Sequence, residues 1–241
     1  MVEEISIVFP AYNEVENVEE AARRAREAIA LARIPSSEII FVDDGSTDGT
    51  AEKVEALAAE DPSIRLVRHP RNRGYAEALK SGFAAARMRY IFYSDSDNQF
   101  DLKELKNLLP AIEDYDIVCG FRIYRFDPLT RLFLAWGYNL VARSLFRIRV
   151  RDIDCAFKLF RREVFDLITI ESKKFFVDTE ILAKAAKHRL RVTEIGVRHY
   201  PRPAGRSTVR PSHVISTLRE LAKMWIRINF GPRAGGRRAG R

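Results

Sequence analysis

Two aspartates separated by a single serine, Asp95 and Asp97, directly follow the apolar run 90–93. Alternate side chains of an extended chain point to the same side, so Asp95, Asp97 and Gln99 can converge on one point. Neighbouring carboxylates repel one another unless a cation lies between them. Mg²⁺ or Mn²⁺ commonly binds one or two carboxylates together with water and substrate phosphates. A D-x-D pattern also arises by chance, and these acids could instead cap the following helix, although Asp101 could fill that role alone. Their position at the carboxyl end of a predicted strand nevertheless predicts a divalent metal site.

A second acidic segment follows the apolar run 39–42. Thr47 or Asp48 can cap the helix expected next, a structural role worth about 1 kcal/mol. Capping does not explain Asp43 and Asp44 at the strand end, where a carboxylate can accept hydrogen bonds from a nucleobase or a ribose hydroxyl. The chain has neither G-x-G-x-x-G nor G-x-x-x-x-G-K-[ST], which excludes the dinucleotide-binding and P-loop motifs.

The elements that must position these residues alternate along the first 120 residues. Short β-branched runs predict strands at 5–9, 39–42, 64–67, 90–93 and 116–119. Amphipathic stretches predict helices at 17–33, from the second strand to 60, at 75–87 and at 102–113. This alternation predicts an α/β fold with a mostly parallel sheet and right-handed crossovers. Ligands bind beyond the carboxyl ends of such strands, which selects three segments: 10–14, 43–48 and 95–99.

The second half is less regular. Helices are expected at about 128–149, 177–188 and 212–230, and strands at 156–160 and 191–197. We expect one catalytic domain over residues 1–210, a basic amphipathic helix over 211–230 and a disordered basic tail over 231–241. Within the domain, the stretch 128–149 combines a basic row with Trp, Phe and Leu, which is typical of a helix in the lipid headgroup region. A core helix with solvated arginines is nearly as good an interpretation.

The charge is unevenly distributed. The chain of 241 residues has a net charge of +8, and from Arg198 onward 11 basic residues face a single acid, Glu220. Such an arm favours an anionic partner, whether lipid phosphate, a membrane surface or nucleic acid, although it could be merely solvated. The start is acidic and no apolar stretch is long enough for a span, so we expect no signal peptide and no transmembrane helix. Cys119 and Cys155 are expected to be buried thiols in a reducing cytosol.

Four blocks of sequence, taken together, resemble the family-2 inverting glycosyltransferases of GT-A fold. The blocks are residues 8–14 (VFPAYNE), 42–50 (VDDGSTDGT), 72–74 (NRG) and 95–97 (DSD). Later segments resemble one branch of that family, the polyprenyl-phosphate or dolichol-phosphate mannose synthases. These are residues 120–122 (GFR), 152–160 (DIDCAFKLF) and 202–207 (RPAGRS). The resemblance covers about residues 4–210.

The resemblance implies roles for individual residues. It implies that a nucleotide-diphosphate sugar is held at Pro10, Ala11, Tyr12, Glu14, Asp43, Asp44 and Arg73. It implies that Asp95, Asp97 and Gln99 serve Mg²⁺ or Mn²⁺ and the diphosphate, and that Arg122, Arg131 and Arg202 bind the phosphate of a polyprenyl-phosphate acceptor. Asp95, Asp97, Arg122 and Arg202 would thus be the catalytic set. The chain departs from the branch at Ala135, where a serine is expected, and we expect no membrane-spanning tail of the kind that many relatives have.

The implied reaction is metal-dependent inverting transfer of a hexose to a polyprenyl phosphate at the cytoplasmic face of a membrane. A peripheral membrane contact and a membrane subunit are candidate partners. A phosphate acceptor is largely ionised at neutral pH and needs no general base. The alternative is a same-fold enzyme with a saccharide or another small acceptor, whose hydroxyl would need a carboxylate base such as Asp152, Asp154 or Glu180.

Two further classes are disfavoured. A sugar nucleotidyltransferase would be expected to have a glycine-rich, basic loop after its first strand, and residues 10–14 contain neither glycine nor a base. A nucleic-acid-binding module would explain the basic arm but would leave the acidic strand ends unexplained. We therefore expect no nucleic-acid partner.

Overall fold

A computed structural model describes residues 2–124, 129–172, 176–201 and 214–230. Its centre is a seven-stranded sheet with the spatial order β3-β2-β1-β4-β6-β5-β7. The strands are β1 Glu4–Ala11, β2 Ser36–Asp43, β3 Ile64–Arg68, β4 Tyr90–Ser94, β5 Ile117–Arg122, β6 Phe157–Arg161 and β7 Val192–Val197. Every strand predicted from the sequence is present, within a few residues of its expected bounds.

Helices flank the sheet. They are α1 Val18–Ala32, α2 Thr50–Glu60, α3 Tyr75–Ala85, α4 Leu105–Leu108, α5 Leu129–Phe146, α6 Val164–Leu167, α7 Val177–Lys187 and α8 Val214–Phe230. The single helix predicted over 102–113 is wrong. Short 3-10 turns replace its two ends. The regular helix ends at Leu108, before Pro110, which has no N–H and whose ring clashes with the preceding turn. The short helix α6 was not predicted.

The pairing confirms a mixed, mostly parallel sheet. The pairs β1–β2, β1–β4, β2–β3 and β5–β7 are parallel, whereas β6 runs antiparallel to both of its neighbours. Phe157 at the start of β6 therefore lies opposite Ser94 at the end of β4. As a result, the residues that precede β6 reach the same edge of the sheet as the residues that follow β4.

The sheet core explains why the first strands are almost continuously apolar. Both β1 and β2 are buried nearly throughout, as is usual for parallel strands whose two faces are covered. Helix α3 approaches very closely at Gly82, where an added Cβ would lie 2.3 Å from Cγ1 of Val8. Fully burying a side chain such as Ile7 or Phe41 contributes about 1.5–3 kcal/mol.

The two cysteines lie in this core, as expected. Cys119 and Cys155 are free and fully buried. Burial raises the pKa of the Cys119 thiol to about 12 and that of Cys155 further above its usual value. Both thiols are therefore neutral packing residues at physiological pH.

Helices α5, α7 and α8 pack against one another beside the sheet. On its inner side α8 buries Leu221, Met224 and Ile228. Large apolar side chains on α5 and α8 remain exposed, namely Leu134, Trp136, Leu140, Val141, Leu218, Ile226 and Phe230. Within the described ranges, no helix has the length and apolarity needed to cross a bilayer.

Candidate active site

Backbone and side-chain hydrogen bonds interlock the loops that follow β1 and β2. The amide of Asp44 donates to the carbonyl of Ala11 at 2.9 Å. The amide of Asn13 donates to Oγ of Ser46, and the amide of Thr47 donates to Oδ1 of Asn13, each at 2.9 Å. The predicted segments 10–14 and 43–48 therefore form one continuous wall at the carboxyl edge of the sheet.

Asp48 reinforces this wall where α2 begins. Its carboxylate accepts from the amides of Thr50 at 3.0 Å and Val15 at 3.1 Å. The N-cap of α2 is Gly49, so the capping prediction for Thr47 or Asp48 is wrong, and Asp48 instead bonds the first helical amide from the position before the N-cap. Burial opposes ionisation of Asp48, but the hydrogen bonds from Thr50 and Val15 outweigh it and hold its pKa below the usual value. Glu14 joins the same contact, since its amide donates to Oγ1 of Thr50 at 2.9 Å.

Asp44 is a buried hub of the neighbouring loop. Its carboxylate accepts from the amides of Arg73 and Gly74, at 2.9 Å and 2.7 Å, and lies 2.7 Å from Nδ1 of His69. The other ring nitrogen of His69 lies 2.8 Å from Oγ of Ser81. Asp44 thus orders residues 69–74, and a direct contact between Asp44 and a nucleoside stays a prediction.

Gly45 makes this loop packing possible. Its φ is +73°, and a Cβ there would lie 2.4–2.6 Å from the backbone of Arg71 and Asn72. No other residue type fits without moving that backbone. The 43–46 loop and the 71–74 loop are therefore pressed together beside the wall.

Three predicted donor-binding residues have groups that face solvent or make few contacts. Tyr12 is 47% exposed immediately after β1. Arg73 is also half exposed and forms an ion pair with Glu77 at 3.0 Å. Among the described residues, the buried carboxylate of Asp43 accepts two long hydrogen bonds, both of 3.3 Å, from the amide of Ser46. The ring of Tyr12, the guanidinium of Arg73 and the carboxylate of Asp43 therefore lie along the carboxyl edge of the sheet.

The 95–97 loop lies against the end of β1. Oγ of Ser96 donates to the carbonyl of Pro10 at 3.0 Å, which fixes the loop beside the wall. Asp97 is buried and accepts from the amide of Gln99 at 3.2 Å, whereas Asp95 is half buried and accepts from the hydroxyl of Tyr75 at 3.1 Å. The structure therefore brings the metal-site prediction and the donor-site prediction to the same place.

The donor atoms of this loop fit a divalent cation. Carboxylate and amide oxygens are the ligands that Mg²⁺ and Mn²⁺ prefer. Gln99 uses Nε2 to donate to the carbonyl of Tyr200 at 3.0 Å, so its amide oxygen is the atom that could coordinate. In the described part of the chain, no three His, Cys, Asp or Glu side chains form an all-protein metal cage. The loop matches the other common arrangement, in which one or two carboxylates share the ion with substrate phosphates.

Arg122, at the end of β5, is held by Asp152 in a bidentate pair. Nε donates to Oδ2 and Nη2 donates to Oδ1, each at 2.7 Å, and both side chains are largely buried. Burial alone would lower the pKa of the guanidinium, but the bonds and the charge of Asp152 outweigh it and raise that pKa. Nη1 lies outside the pair and is the nitrogen that could meet a phosphate.

The three candidate bases have different surroundings. Asp152 is engaged with Arg122, and Glu180 is fully buried, where it accepts from the amide of Ser172 at 2.7 Å and pairs with Lys184. Asp154 is exposed to solvent, although many protein atoms lie around its carboxylate. Desolvation, followed by the charge of Asp178, raises the pKa of Asp154 to about 7. Asp154 is therefore the candidate able to exchange a proton near neutral pH.

Sequence reasoning missed a buried ion pair next to this site. Lys158 on β6 is fully buried, and its Nζ lies 2.8 Å from Oδ1 of Asp178 on α7. Burial opposes the charge of Lys158, but Asp178 outweighs it and raises the pKa of the ammonium to about 12. The signal was a lysine inside the apolar strand Phe157–Arg161, because fully buried lysines are almost always paired.

Two predicted phosphate-binding residues are not placed. Arg202 lies outside the described residues. Arg131 belongs to α5, but its side chain is outside the described part of the structure. Their roles stay predictions.

Comparison with known proteins places the chain among relatives of one family. The family model for glycosyl transferase family 2 matches residues 6–169. A dolichyl-phosphate beta-glucosyltransferase of Dictyostelium discoideum is 32% identical over 213 residues, 80% of this chain and 65% of that protein. The glycosyltransferase AglD of Haloferax volcanii is 31% identical over 241 residues, 95% of this chain and 38% of that protein. The chain thus spans less than two thirds of the length of either relative.

Solved structures share the fold. Glucosyl-3-phosphoglycerate synthase from Mycobacterium tuberculosis, in complex with phosphoglyceric acid, superposes with a TM-score of 0.70 at 20% identity over 97% of this chain and 82% of that one. The mannosyltransferase PcManGT from Pyrobaculum calidifontis, in complex with GDP-Man and Mn²⁺, gives a TM-score of 0.62 at 21% identity over 85% of this chain and 59% of that one. With these likenesses and the match over residues 6–169, the chain belongs to glycosyl transferase family 2 and has the GT-A fold.

Proposed function

We propose that the chain is a metal-dependent inverting glycosyltransferase that moves a hexose from a nucleotide-diphosphate sugar to a polyprenyl phosphate. The observation that carries the proposal is the junction of the Asp95–Asp97 loop with the interlocked wall, fixed by the bond from Ser96 to Pro10. Relatives named dolichyl-phosphate beta-glucosyltransferase and undecaprenyl-phosphate mannosyltransferase support this acceptor class.

The donor would lie along the wall. The exposed ring of Tyr12 offers a stacking surface for the base, and Asp43 offers an acceptor for base or ribose donors. Arg73 would meet the diphosphate. Asp95, Asp97 and the amide oxygen of Gln99 would hold the cation, and the chemistry supplied there by Mg²⁺ or Mn²⁺ is neutralisation of charge on the departing diphosphate.

The acceptor would approach from the side of β5 and β6. A phosphate monoester has a second pKa near 6, so its oxygen is already nucleophilic at neutral pH and needs positioning more than deprotonation. Nη1 of Arg122 would contribute to that positioning, together with Arg131 and Arg202. Attack from the face opposite the diphosphate inverts the anomeric carbon.

A lipid acceptor requires a surface that meets the membrane. The exposed apolar residues of α5 and α8, among them Trp136 and Phe230, adjoin basic residues such as Arg143 and Lys223. This combination supports peripheral contact with an anionic, cytoplasmic leaflet. A membrane subunit would be a second occupant of the same surface.

Asp154 supports a second candidate function, transfer to the hydroxyl of a saccharide or another small acceptor. A hydroxyl must lose its proton during attack, and a carboxylate with a pKa of about 7 is suited to take it. Asp154→Asn separates the two functions. A phosphate acceptor would still react, whereas a hydroxyl acceptor would not.

The central experiment incubates the protein with membranes and radiolabelled nucleotide-sugars and measures label in a mild-acid-labile lipid. Asp97→Ala is expected to abolish the metal-dependent label. Asp101→Ala is the matched control, since Asp101 caps the 3-10 turn at Leu102–Glu104 through the amide of Lys103 at 3.1 Å. The control should lose about 1 kcal/mol of stability and keep its metal dependence. Full activity of Asp97→Ala would refute the metal assignment.

A further inference from the structure

A hydroxyl group from outside the loop contacts the proposed metal ligand Asp95. Tyr75, the first residue of α3, donates from its hydroxyl to Oδ1 of Asp95 at 3.1 Å. The preceding residue, Gly74, is fixed by the bond from its amide to Asp44. The backbone of Tyr75 is therefore set by the donor wall, while its side chain reaches the 95–97 loop.

Behind Tyr75 lies a buried polar cluster contributed by β4, β6 and α7. The hydroxyl of Tyr93 donates to Oδ1 of Asp178. This pair adjoins Tyr75, whose pKa is raised by burial and by the charges of Asp95 and Asp178. Nζ of Lys158 lies 2.8 Å from Oδ1 of Asp178 and 3.3 Å from the hydroxyl oxygen of Tyr93. Tyr93 and Lys158 are fully buried and Asp178 nearly so.

The donor and acceptor properties of these groups define the direction of each bond. An ammonium only donates and a carboxylate only accepts, so Lys158 must donate to Tyr93 and Tyr93 must donate to Asp178. The single hydroxyl proton of Tyr93 is therefore used in the hydrogen bond to Asp178. The proton of Tyr75 is then directed to Asp95, which is the other acceptor beside it.

A buried ion pair is not needed for the stability of the core. Replacing a buried ion pair by well-packed apolar side chains is often neutral or stabilising. The pair Lys158–Asp178 nevertheless lies in the core of the sheet, next to the tyrosine that donates to a proposed metal ligand. Partners behind a ligand orient it, and losing such a partner typically weakens metal binding 10–100-fold.

We propose that Tyr75, which lies beside the buried cluster of Tyr93, Lys158 and Asp178, is a positioning residue for Asp95 and orients its carboxylate toward the cation. The inference rests on the proposed metal site. It deepens that site by assigning the cation affinity to hydroxyl and charged groups beyond the D-x-D loop.

The test measures binding of Mn²⁺ alone to the full chain, from the electron paramagnetic resonance signal of free Mn²⁺, below the melting temperature of each variant. Tyr75→Phe removes one oxygen atom and is expected to weaken Mn²⁺ binding about tenfold. Tyr93→Phe should weaken it in the same direction, because the Tyr75 hydroxyl loses its neighbour. Tyr90→Phe is the matched control on the same strand, and its affinity should equal that of the wild type.

The outcomes separate this inference from the proposed function. If the wild type and Asp97→Ala bind Mn²⁺ equally, the metal site itself is refuted. If Asp97→Ala loses Mn²⁺ while Tyr75→Phe and Tyr93→Phe both match Tyr90→Phe, the metal site stands and the positioning role is overturned. A loss of affinity in Tyr75→Phe with an unchanged melting temperature supports the inference, because a merely structural role would alter stability instead.

Discussion

Arg122 and Asp152 form two parallel hydrogen bonds of 2.7 Å across 30 residues of sequence, in a largely buried position. The arginine that we propose to bind the acceptor phosphate is thus oriented by Asp152, one of the candidate bases. Since one oxygen of Asp152 also accepts from the amide of Arg122, the pair fixes both the side chain and the end of β5. Asp152 is better explained as the partner of Arg122 than as a proton acceptor.

Asp152→Asn is expected to cost about 3 kcal/mol of unfolding free energy, because it leaves a buried guanidinium without its counter-charge. Arg122→Met combined with Asp152→Leu should recover much of that stability and still fail to use a lipid-phosphate acceptor. Urea unfolding and the lipid-labelling assay measure the two effects. Glu52→Gln, which breaks the exposed pair with Arg68, is the control and should shift the urea midpoint little. Equal shifts for Asp152→Asn and Glu52→Gln would contradict the prediction.

Substitutions of the adjacent aspartates Asp43 and Asp44 are expected to differ in effect, with Asp43 contributing more to nucleotide binding and Asp44 more to the stability of the fold. Asp44→Asn is expected to cost about 2 kcal/mol, since the buried carboxylate serves His69 and two backbone amides. Asp43→Asn should cost about 1 kcal/mol and weaken UDP or GDP binding about tenfold. Denaturation and calorimetric titration in the presence of Mn²⁺ test the pair. The reverse ranking in either measurement would show that the roles are exchanged.

The raised pKa of Asp154 predicts how the stability of the fold depends on pH. Its folded-state pKa of about 7 lies above the ordinary value of 3.8, so folding favours the protonated form. The resulting destabilisation is absent below about pH 4, grows as the pH rises to 7 and is constant above. Asp154→Asn should therefore melt at a higher temperature than the wild type at pH 8, and at the same temperature at pH 4.

Asp61 is the control for this experiment, because its pKa is lowered in the folded state whereas that of Asp154 is raised. The hydroxyl of Ser63 is the main cause that lowers the pKa of Asp61 below 3.8. Asp61→Asn should therefore be less stable than the wild type at neutral pH, with a deficit that shrinks only as the pH falls below 3.8 toward the lowered pKa of the folded state. A gap between Asp154→Asn and the wild type that does not change with pH would contradict the assignment.

The apolar surface of α5 should bind anionic membranes. Trp136 is 61% exposed, and replacing it by serine is expected to weaken binding to phosphatidylglycerol-containing vesicles about tenfold. Leu31→Ser removes a comparably exposed apolar residue from α1 and should leave vesicle binding unchanged. Co-sedimentation at two salt concentrations provides the measurement. If both variants bind equally well, α5 does not meet the bilayer.

The strands and the acidic residues at their ends could be predicted from the sequence, because both depend on the residue pattern of a short segment. The apolar runs that became β1, β2 and β4 are bounded by acidic residues, and parallel pairing brings those ends together, as the contact between Asp44 and Ala11 shows. The helix predicted over 102–113 is wrong because Pro110 interrupts the backbone hydrogen bonds that the apolar periodicity alone would allow.

Long-range partners could not be derived in this way. The pairs Asp44–His69 and Lys158–Asp178 join residues far apart in sequence, and neither member identifies the other by spacing. The insertion of β6 between β4 and β5, in the opposite direction, is also a property of the whole sheet rather than of one segment. A buried lysine or an acid at a strand end indicates that a partner exists, and only the fold shows which.

The reversed direction of β6 divides the chain's two proposed tasks between two stretches of sequence. Groups for the leaving nucleotide come from the first hundred residues, at the ends of β1, β2 and β4, whereas groups for the incoming molecule precede β6 or follow β5. Because each task has its own stretch, a chimaera that exchanges residues 115–210 with those of a relative is expected to use that relative's acceptor while keeping the original donor. Diversification of such enzymes can then proceed one half at a time, with the shared edge of the sheet as the fixed meeting point.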